Sequence, residues 1–375
     1  MHSSAVVDCI AEVARPHPVA QMRPGSLQQV DARDFRAEII ALFESNGNRK
    51  FAEQFDWYYR DRGQETPMSW VLWDRRGEIC GLCSVTPRTL RFGTTSIRAG
   101  VAGNLIMDRS GGAYLGAFSL VTAMKFLVDD HQIDILLGIP NELAEPVFSR
   151  LGFRMIDRWT TQTLICRSRE LLGFHFGMPG RMASPFVDVW AAARRAFGHW
   201  READSSGFRV IDLPESELDR LRPEDWPASW HRFAVGATSE YLKWRFCRDP
   251  VRDFSIAAIV DPKYYEVCGY VVLHRSPGRI WVTDCGVDHR QLSEAGAILC
   301  FCHDRRALDT TVWVTTLRSG LLSAQLRYCG FTRMGASMGG SPNLPLAAYW
   351  LPTHPLANAF AEPTSWNLLP GFNDV

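Results

Sequence analysis

Residues 97–153 read IRAGVAGNLIMDRSGGAYLGAFSLVTAMKFLVDDHQIDILLGIPNELAEPVFSRLGF. The apolar run from Ile97 to Met107 predicts a strand, broken at Asp108-Arg109-Ser110-Gly111-Gly112-Ala113. Tyr114 to Asp129 predicts a helix and Ile133 to Gly138 a second strand. Pro140-Asn141 then turns the chain into another helix, which ends at Leu151-Gly152-Phe153. A glycine-bearing loop between a strand's end and a helix's start points backbone N–H groups at an anion, and polyphosphate is the usual occupant. Gly111 and Gly112 let backbone approach that anion without a Cβ in the way. Asn141 caps the helix behind it and leaves its amide able to bond a ligand.

Upstream, Asp31 to Ser45 has helical spacing, with Phe35, Ile39 and Leu42 on one stripe. Trp70 to Trp73 and Ile79 to Val85 read as strands joined by the hairpin signal Asp74-Arg75-Arg76-Gly77, and Gly93 marks a second hairpin. A last strand is expected near Thr160 to Cys166. Gly173 to Gly180 reads as a connection, followed by a helix over Pro185 to Glu202 that carries Phe186, Trp190, Ala193, Phe197 and Trp200 on one face. Arg194 and Arg195 lie elsewhere on that helix. A membrane-surface role is weighed against packing between domains, and packing is the expectation.

The second half repeats the first in worn form. Phe55-Asp56-Trp57-Tyr58-Tyr59-Arg60 answers to Leu242-Lys243-Trp244-Arg245-Phe246-Cys247. Glu78-Ile79-Cys80-Gly81 answers to Glu266-Val267-Cys268-Gly269, and Gly152-Phe153 to Gly330-Phe331, at offsets of 187, 188 and 178 residues. The strand Ile280 to Cys285, helix Leu292 to Asp304, strand Thr311 to Thr316 and helix Leu321 to Tyr328 each have a counterpart. After Val287-Asp288-His289-Arg290, however, no glycine-rich loop precedes the helix. The repeated Trp57 and Trp244 are expected to staple the core of each copy.

With 375 residues, 46% of them hydrophobic, the chain has room for two packed domains. Lys+Arg and Asp+Glu balance at 41 each, and the basic residues are scattered, so nucleic-acid binding is not expected. The ten cysteines have no metal-ligand rhythm. Cys80 and Cys83 fall at odd separation on a strand, which sends them to opposite faces, and Cys300 and Cys302 are too close on a helix to converge on a metal. Free thiols in apolar runs suit a reducing cytoplasm. The first 29 residues lack the apolar core of a signal peptide, and no stretch reaches membrane-spanning length.

The order strand, Arg-x-x-Gly loop, helix, strand, Asn, helix, Gly-Phe resembles the cofactor half of the GCN5-related (GNAT) acyl-CoA N-acyltransferases. The family's loop, Arg/Gln-x-x-Gly-x-Gly/Ala, is met at Arg109 and Gly112, with Tyr114 standing where Gly or Ala is usual. Its later motif, Asn-x-x-Ala-x-x-x-Tyr-x-x-x-Gly-Phe, is met at Asn141, Ala144, Gly152 and Phe153, with Phe148 in place of the Tyr. The resemblance implies an α/β fold of two tandem GNAT-like domains, each a mixed, mostly antiparallel sheet flanked by helices. It divides the chain into a tail (1–25), a cofactor-binding domain (26–166), a linker with an amphipathic helix (167–206) and a degenerate acceptor-binding domain with a C-terminal tail (207–375).

By the same resemblance, Arg109, Ser110, Gly111, Gly112 and Ala113 would hold the pyrophosphate of acyl-CoA, with acetyl-CoA the expected donor and no metal. Leu105, Ile106 and Met107 would lend backbone amides to the pantetheine arm and thioester carbonyl, and Asn141 would bond the arm. The Tyr that many relatives use as general acid is absent at Phe148, so Tyr114 is the substitute. A base must take the proton of the attacking amine. Glu142, Asp284 and His274 are candidates, and Asp284 is favoured because a charge inside an apolar strand wants a reason. Arg245 is a partner for it or for an acidic acceptor.

The expected activity is N-acyl transfer to a small-molecule amine or amino sugar, by direct attack in a ternary complex. The layout is similar to double-domain proteins of bacterial polysaccharide gene sets. Two alternatives are an acyltransferase served by acyl carrier protein, docked on Arg88, Arg91, Arg98 and Arg109, and a non-catalytic binding protein on the same scaffold.

Overall fold

The computed structural model describes residues 25–59, 66–108, 113–197, 207–227, 232–303, 310–334 and 343–372. The first half runs β1 (Leu27–Val30), α1 (Arg36–Ser45), α2 (Phe51–Tyr59), β2 (Met68–Trp73), β3 (Ile79–Phe92), β4 (Thr95–Met107), α3 (Ala113–Asp129), β5 (Ile135–Gly138), α4 (Glu145–Arg150) and β6 (Arg154–Ile165). A long helix, α5 (Arg169–Phe197), leads to the second half. There β7 (Arg209–Asp212) and β8 (Phe233–Val235) precede α6 (Ser239–Leu242), which continues as a π-turn over Lys243–Cys247. Then come β9 (Phe254–Asp261), β10 (Glu266–Ser276), β11 (Arg279–Val287), α7 (Glu294–His303), β12 (Thr311–Leu317), α8 (Leu321–Tyr328), β13 (Thr332–Met334), β14 (Pro345–Tyr349) and α9 (Ala357–Ala361).

The hairpin expected at Asp74–Gly77 forms because the Asp74 carboxylate accepts hydrogen bonds from the N–H groups of Arg76 (2.8 Å) and Glu78 (2.9 Å). Cys83 is buried and its thiol donates to the Leu120 carbonyl across the α3 interface, while the half-buried Cys80 thiol donates to the Leu72 carbonyl. The face of the sheet toward α3 buries Val85, Leu120, Met124 and Leu136. The opposite face buries Ile39, Phe55 and Leu82 beneath α1 and α2. In the second half, α7 is buried over its whole length between the sheet and α8, so its Cys300 and Cys302 are core residues.

The strands form one mixed α/β sheet in the order β1-β2-β3-β4-β5-β14-β6-β12-β11-β10-β9-β7. Among the described strands, only β4–β5 and β11–β12 are parallel pairs. These two pairs are equivalent in the two halves, and the middle of the sheet is a reciprocal exchange. Strand β14 from the chain's end lies between β5 and β6, pairing Ala347 with Gly138 and Leu346 with Asp157. The far half of β6, Trp159 to Ile165, pairs with β12 of the second half. Thr161 and Thr315 join hydroxyls at 3.0 Å across that seam, and Gln162 donates to Thr316 and Ser323.

Trp57 and Trp244 do not staple separate cores. Their rings stack on each other, 4.9 Å apart and 10° from parallel. Each indole N–H donates to the other's backbone carbonyl, at 2.9 Å and 3.0 Å. The repeat offset thus becomes a pseudo-twofold contact between the halves.

The helix after the first domain also departs from expectation. Gly173–Gly180 is helical within α5 and only kinks at Gly177 (φ 62°). Phe186 and Trp190 do not pack between halves; they are 79% and 50% exposed. The Trp pair and the exchanged strands occupy the interface instead. The remainder of the aromatic face, from Phe197 on, falls outside the side chains described here. Among the described residues, no helix is long and apolar enough to cross a membrane.

Replacing Trp57 or Trp244 by Phe strands one buried carbonyl and loosens the stack, at a cost of about 1–3 kcal/mol each. Because both variants disrupt one contact, the double variant should cost less than the sum in urea unfolding. Strict additivity would contradict a coupled pair.

Candidate functional site

Strand β4 is paired along its length with β3, but the register slips between Leu82↔Ile106 and Ser84↔Gly103. The extra residue is a bulge in β4, with Asn104 in the left-handed region (φ 52°). On its other side β4 pairs with β5 only over Ala99, Gly100 and Val101. From Ala102 to Met107 no described strand pairs with that edge, so its N–H and C=O groups face the gap left by β5. Leu105, Ile106 and Met107 lie on this open edge.

Asn104 is buried. Its Nδ2 donates to the Tyr59 hydroxyl (3.2 Å), which bonds Ser84 (2.8 Å), itself bonded to Ser69 (2.9 Å). The Asn104 Oδ1 is buried and has no hydrogen-bond partner among the described residues, a state that costs about 1–3 kcal/mol. The sequence carried the signal: Gly103-Asn104, a turn-type pair inside an apolar strand, announces a bulge.

Arg109, Ser110, Gly111 and Gly112 lie outside the described residues; Ala113 opens α3, a 17-residue helix whose N-terminus follows them. The Tyr114 hydroxyl accepts a hydrogen bond from Arg150, whose guanidinium also sits 5.5 Å from the ring centre. Asn141 Oδ1 caps the next turn, accepting from the N–H groups of Leu143 (3.1 Å) and Ala144 (3.0 Å). Its Nδ2 makes no hydrogen bond among the described residues. Gly152 ends that helix at φ 85°. Phe148 is buried against Phe153, 4.7 Å between rings, and against Gly138, where a Cβ would come within 2.8 Å of its Cε1.

The three candidate bases fall in three different places. Glu142 is exposed at the turn before α4. Asp284 is buried on β11, and burial pushes its carboxyl up to about 6, opposed by the Cys285 N–H and the Arg245 charge. Its cavity is small, about 70 Å³, shared with His289 and Glu294. Arg245 forms its ion pair with Asp249, at 3.3 Å, rather than with Asp284. His274 lines a far larger cavity, about 590 Å³, bounded by Ile139 and Trp159 from the first half and Phe254, Trp281, Thr283 and Thr315 from the second. Its Nδ1 is 3.0 Å from the Asp253 carbonyl oxygen. A carbonyl only accepts, so Nδ1 carries the proton and Nε2 of the neutral ring keeps its lone pair.

The second half has the same parting of strands, since β11 pairs with β12 only as far as Val282↔Val314. There the opening is filled. The chain's last described segment lies in it, with the Tyr241 hydroxyl donating to the Gly371 carbonyl at 2.9 Å. Gly371 is so close that a Cβ would meet the Asp284 Cβ and Thr283 carbonyl at 2.9 Å. Before α7, where an anion would sit, Asp288 supplies its own carboxylate, which accepts from the Arg290 N–H (3.0 Å) and from the Arg290 guanidinium. No group of three or more metal-ligating side chains gathers among the described residues.

Of the arginines considered for carrier docking, Arg109 lies outside the described residues, and Arg91 and Arg98 lie on one face of the adjacent strands β3 and β4. Arg88 is buried with its guanidinium 4.8 Å from the Tyr241 ring. Arg91 reaches the Glu224 carbonyl, and Arg98 pairs with Asp134 at 2.7 Å.

No protein-family model matches the sequence, and no curated protein matches it. Solved structures do. A probable N-acyltransferase from Enterococcus faecalis V583 superposes with a TM-score of 0.59 at 9% identity, over 86% of this chain and 71% of that one. A GCN5-related N-acetyltransferase from Anabaena variabilis ATCC 29413 gives 0.52 at 8% identity, over 85% and 70%. One from Kribbella flavida gives 0.52 at 10% identity, over 87% and 71%. At these identities the likeness is one of fold, and the fold is that of the GCN5-related N-acetyltransferases.

The buried Asp284 has a consequence for stability. Its folded value of about 6 lies above the ordinary 3.8, so between these pH values the native protein holds a proton that the unfolded chain has released. This contribution is therefore full below pH 3.8 and is lost as pH rises through 6. Asp284→Asn removes it while keeping an oxygen for the Cys285 N–H. From pH 4 to 7 the variant should gain roughly 3 kcal/mol relative to the parent in urea unfolding. A difference that stays flat across this range would contradict the assignment.

Proposed function

We propose that the protein is an acyl-CoA-dependent N-acyltransferase whose donor site lies in the first half. The observation that carries this reading is the open, bulged edge of β4 leading to the start of α3. Unpaired edge amides fit the amide-bearing arm of a thioester donor, and a long helix's N-terminus fits its phosphates. When bound, acyl-CoA would supply an acyl group on a stable thiolate leaving group. Acetyl-CoA is the expected donor, in keeping with what the similar folds are named for.

In this reading Arg109, Ser110, Gly111, Gly112 and Ala113 hold the phosphates and Asn141 bonds the arm. The edge amides of Leu105, Ile106 and Met107 polarise the acyl carbonyl. Tyr114 and the Arg150 bonded to it stand beside the start of α3, where a proton donor or a cation would assist departure of the thiolate. We assign the base to His274 Nε2 in the large cavity, in preference to Asp284 and Glu142. Asp284 lies under the C-terminal segment, and Glu142 lies on the surface. A water-filled approach would let His274 take the ammonium proton before attack.

The domain division at 166 and 207 serves as a functional one: donor in the first copy, acceptor between the copies. The nine described cysteines are free thiols, in keeping with a cytoplasmic enzyme. A polysaccharide setting rests on the sequence layout alone, and an acyl-carrier donor is the alternative reading, for which Arg91 and Arg98 lie on one face of β3 and β4.

The test is thiol release from acetyl-CoA and longer acyl-CoAs with a panel of amines. Acceptor-dependent release is expected, and His274→Gln should lower kcat by about 100-fold or more at neutral pH. Release from no thioester with any amine would contradict the reading. An unaltered rate in the variant would remove His274 from the mechanism.

A further inference from the structure

The large cavity is charged in one sense only. Exposed Lys50, half-buried Arg252 and His274 line it, and among the described residues no Asp or Glu does. Arg252 makes no side-chain hydrogen bond or ion pair among the described residues. Asp249, a carboxylate that interacts with it, is already committed: its Oδ2 is held by Arg245 at 3.3 Å, and its Oδ1 accepts from the N–H groups of Val251 (2.9 Å) and Arg252 (3.0 Å). Burial and the like charge of Arg245 both weigh against the Arg252 cation. A guanidinium placed at that cost, with its acid neighbour taken, lacks an anion.

The rest of the wall is mostly apolar, with Thr283 and Thr315 as its polar side chains. Trp159, Phe254 and Trp281 face it, with Ile139, Val282 and Leu344. Ring hydroxyls of a sugar would lie unpaired against such a surface, whereas an aromatic or bulky aliphatic group would be well accommodated.

We propose that this cavity binds an α-amino-acid acceptor with an aromatic or bulky apolar side chain, its carboxylate held by Arg252 in a two-pronged contact. A planar guanidinium matches a carboxylate in that way. Lys50 at the rim adds to the attraction, and the Trp159, Phe254 and Trp281 surfaces take the side chain. This rests on the proposed acyl transfer only for what happens to the amine. His274 Nε2 takes a proton from the ammonium, the amine nitrogen forms the new bond to the acyl carbon, and the C–S bond breaks. The thiolate ends as a thiol after protonation, and the second amine proton is lost as the amide forms. The product is an N-acyl amino acid.

The experiment is calorimetric titration of the full chain with L-tryptophan and L-phenylalanine, and with tryptamine and phenethylamine, which lack the carboxylate. Glucosamine serves as the sugar amine. Each titration is run without thioester, alongside a thiol-release assay. The amino acids should bind about 10- to 100-fold more tightly than their decarboxylated counterparts. Arg252→Met should erase that difference while leaving tryptamine affinity within about threefold, and Arg252→Lys should restore part of it. The unfolding midpoint of each variant checks that the fold is intact.

Equal affinity for amino acid and amine would overturn the inference, as would tighter binding of glucosamine, no binding of any probe, or indifference to Arg252→Met. Failure of the acyltransferase reading looks different. The amino acids would then bind in an Arg252-dependent way, yet no thiol would be released from any thioester.

Discussion

Two exchanged strands and one pair of indoles hold the halves of this protein together, and the site depends on them. Strand β6 starts beside β14 and ends beside β12, so neither half completes its sheet without the other. Trp57 and Trp244 exchange N–H···O bonds between the halves, within the core beneath α1 and α2. A hydrogen-bonded sheet tolerates no one-residue slip without turning every side chain over, so the exchange fixes the relative placement of the halves. The large cavity lies where that placement leaves space. Its wall takes Ile139 and Trp159 from one half and Trp281 and Thr283 from the other.

A duplicated scaffold brings two partings of parallel strands, and their fates differ for local reasons. In the first half β4 is bulged at Asn104 and its edge is open beyond Val101. In the second, Asp288 places a carboxylate before α7 and Gly371 closes on β11. These two features occupy the ground before α7 and beside Asp284 that the first half leaves open. In the first half Asn104 is held at the bulge by Tyr59, Arg150 bonds Tyr114 at the start of α3, and Asn141 caps the turn before α4.

Much of this was legible in the sequence because it is local. Hairpin chemistry at Asp74–Gly77, the cap at Asn141, the left-handed Gly152 and the missing loop after Asp288 are each written within a few residues. The exchange of β14 and β6 was not, because a strand's period gives its faces and not its neighbour. Trp57 and Trp244 were recognised as equivalents, yet equivalence cannot say whether two residues repeat a contact or share one. The helix face at Phe186 and Trp190 was misjudged for the same reason: amphipathic spacing names an apolar face without naming its cover. Arg252 and His274 lie far from the phosphate loop in sequence, and only the fold gathers them with Ile139 at one cavity.

The central claim is that one of the two strand partings receives the thioester donor and the other is closed by the chain itself. The stoichiometry of acetyl-CoA binding to the purified full-length protein, measured by isothermal titration, tests it most directly. One molecule bound per chain is the predicted result. Two per chain, or none, would contradict the account.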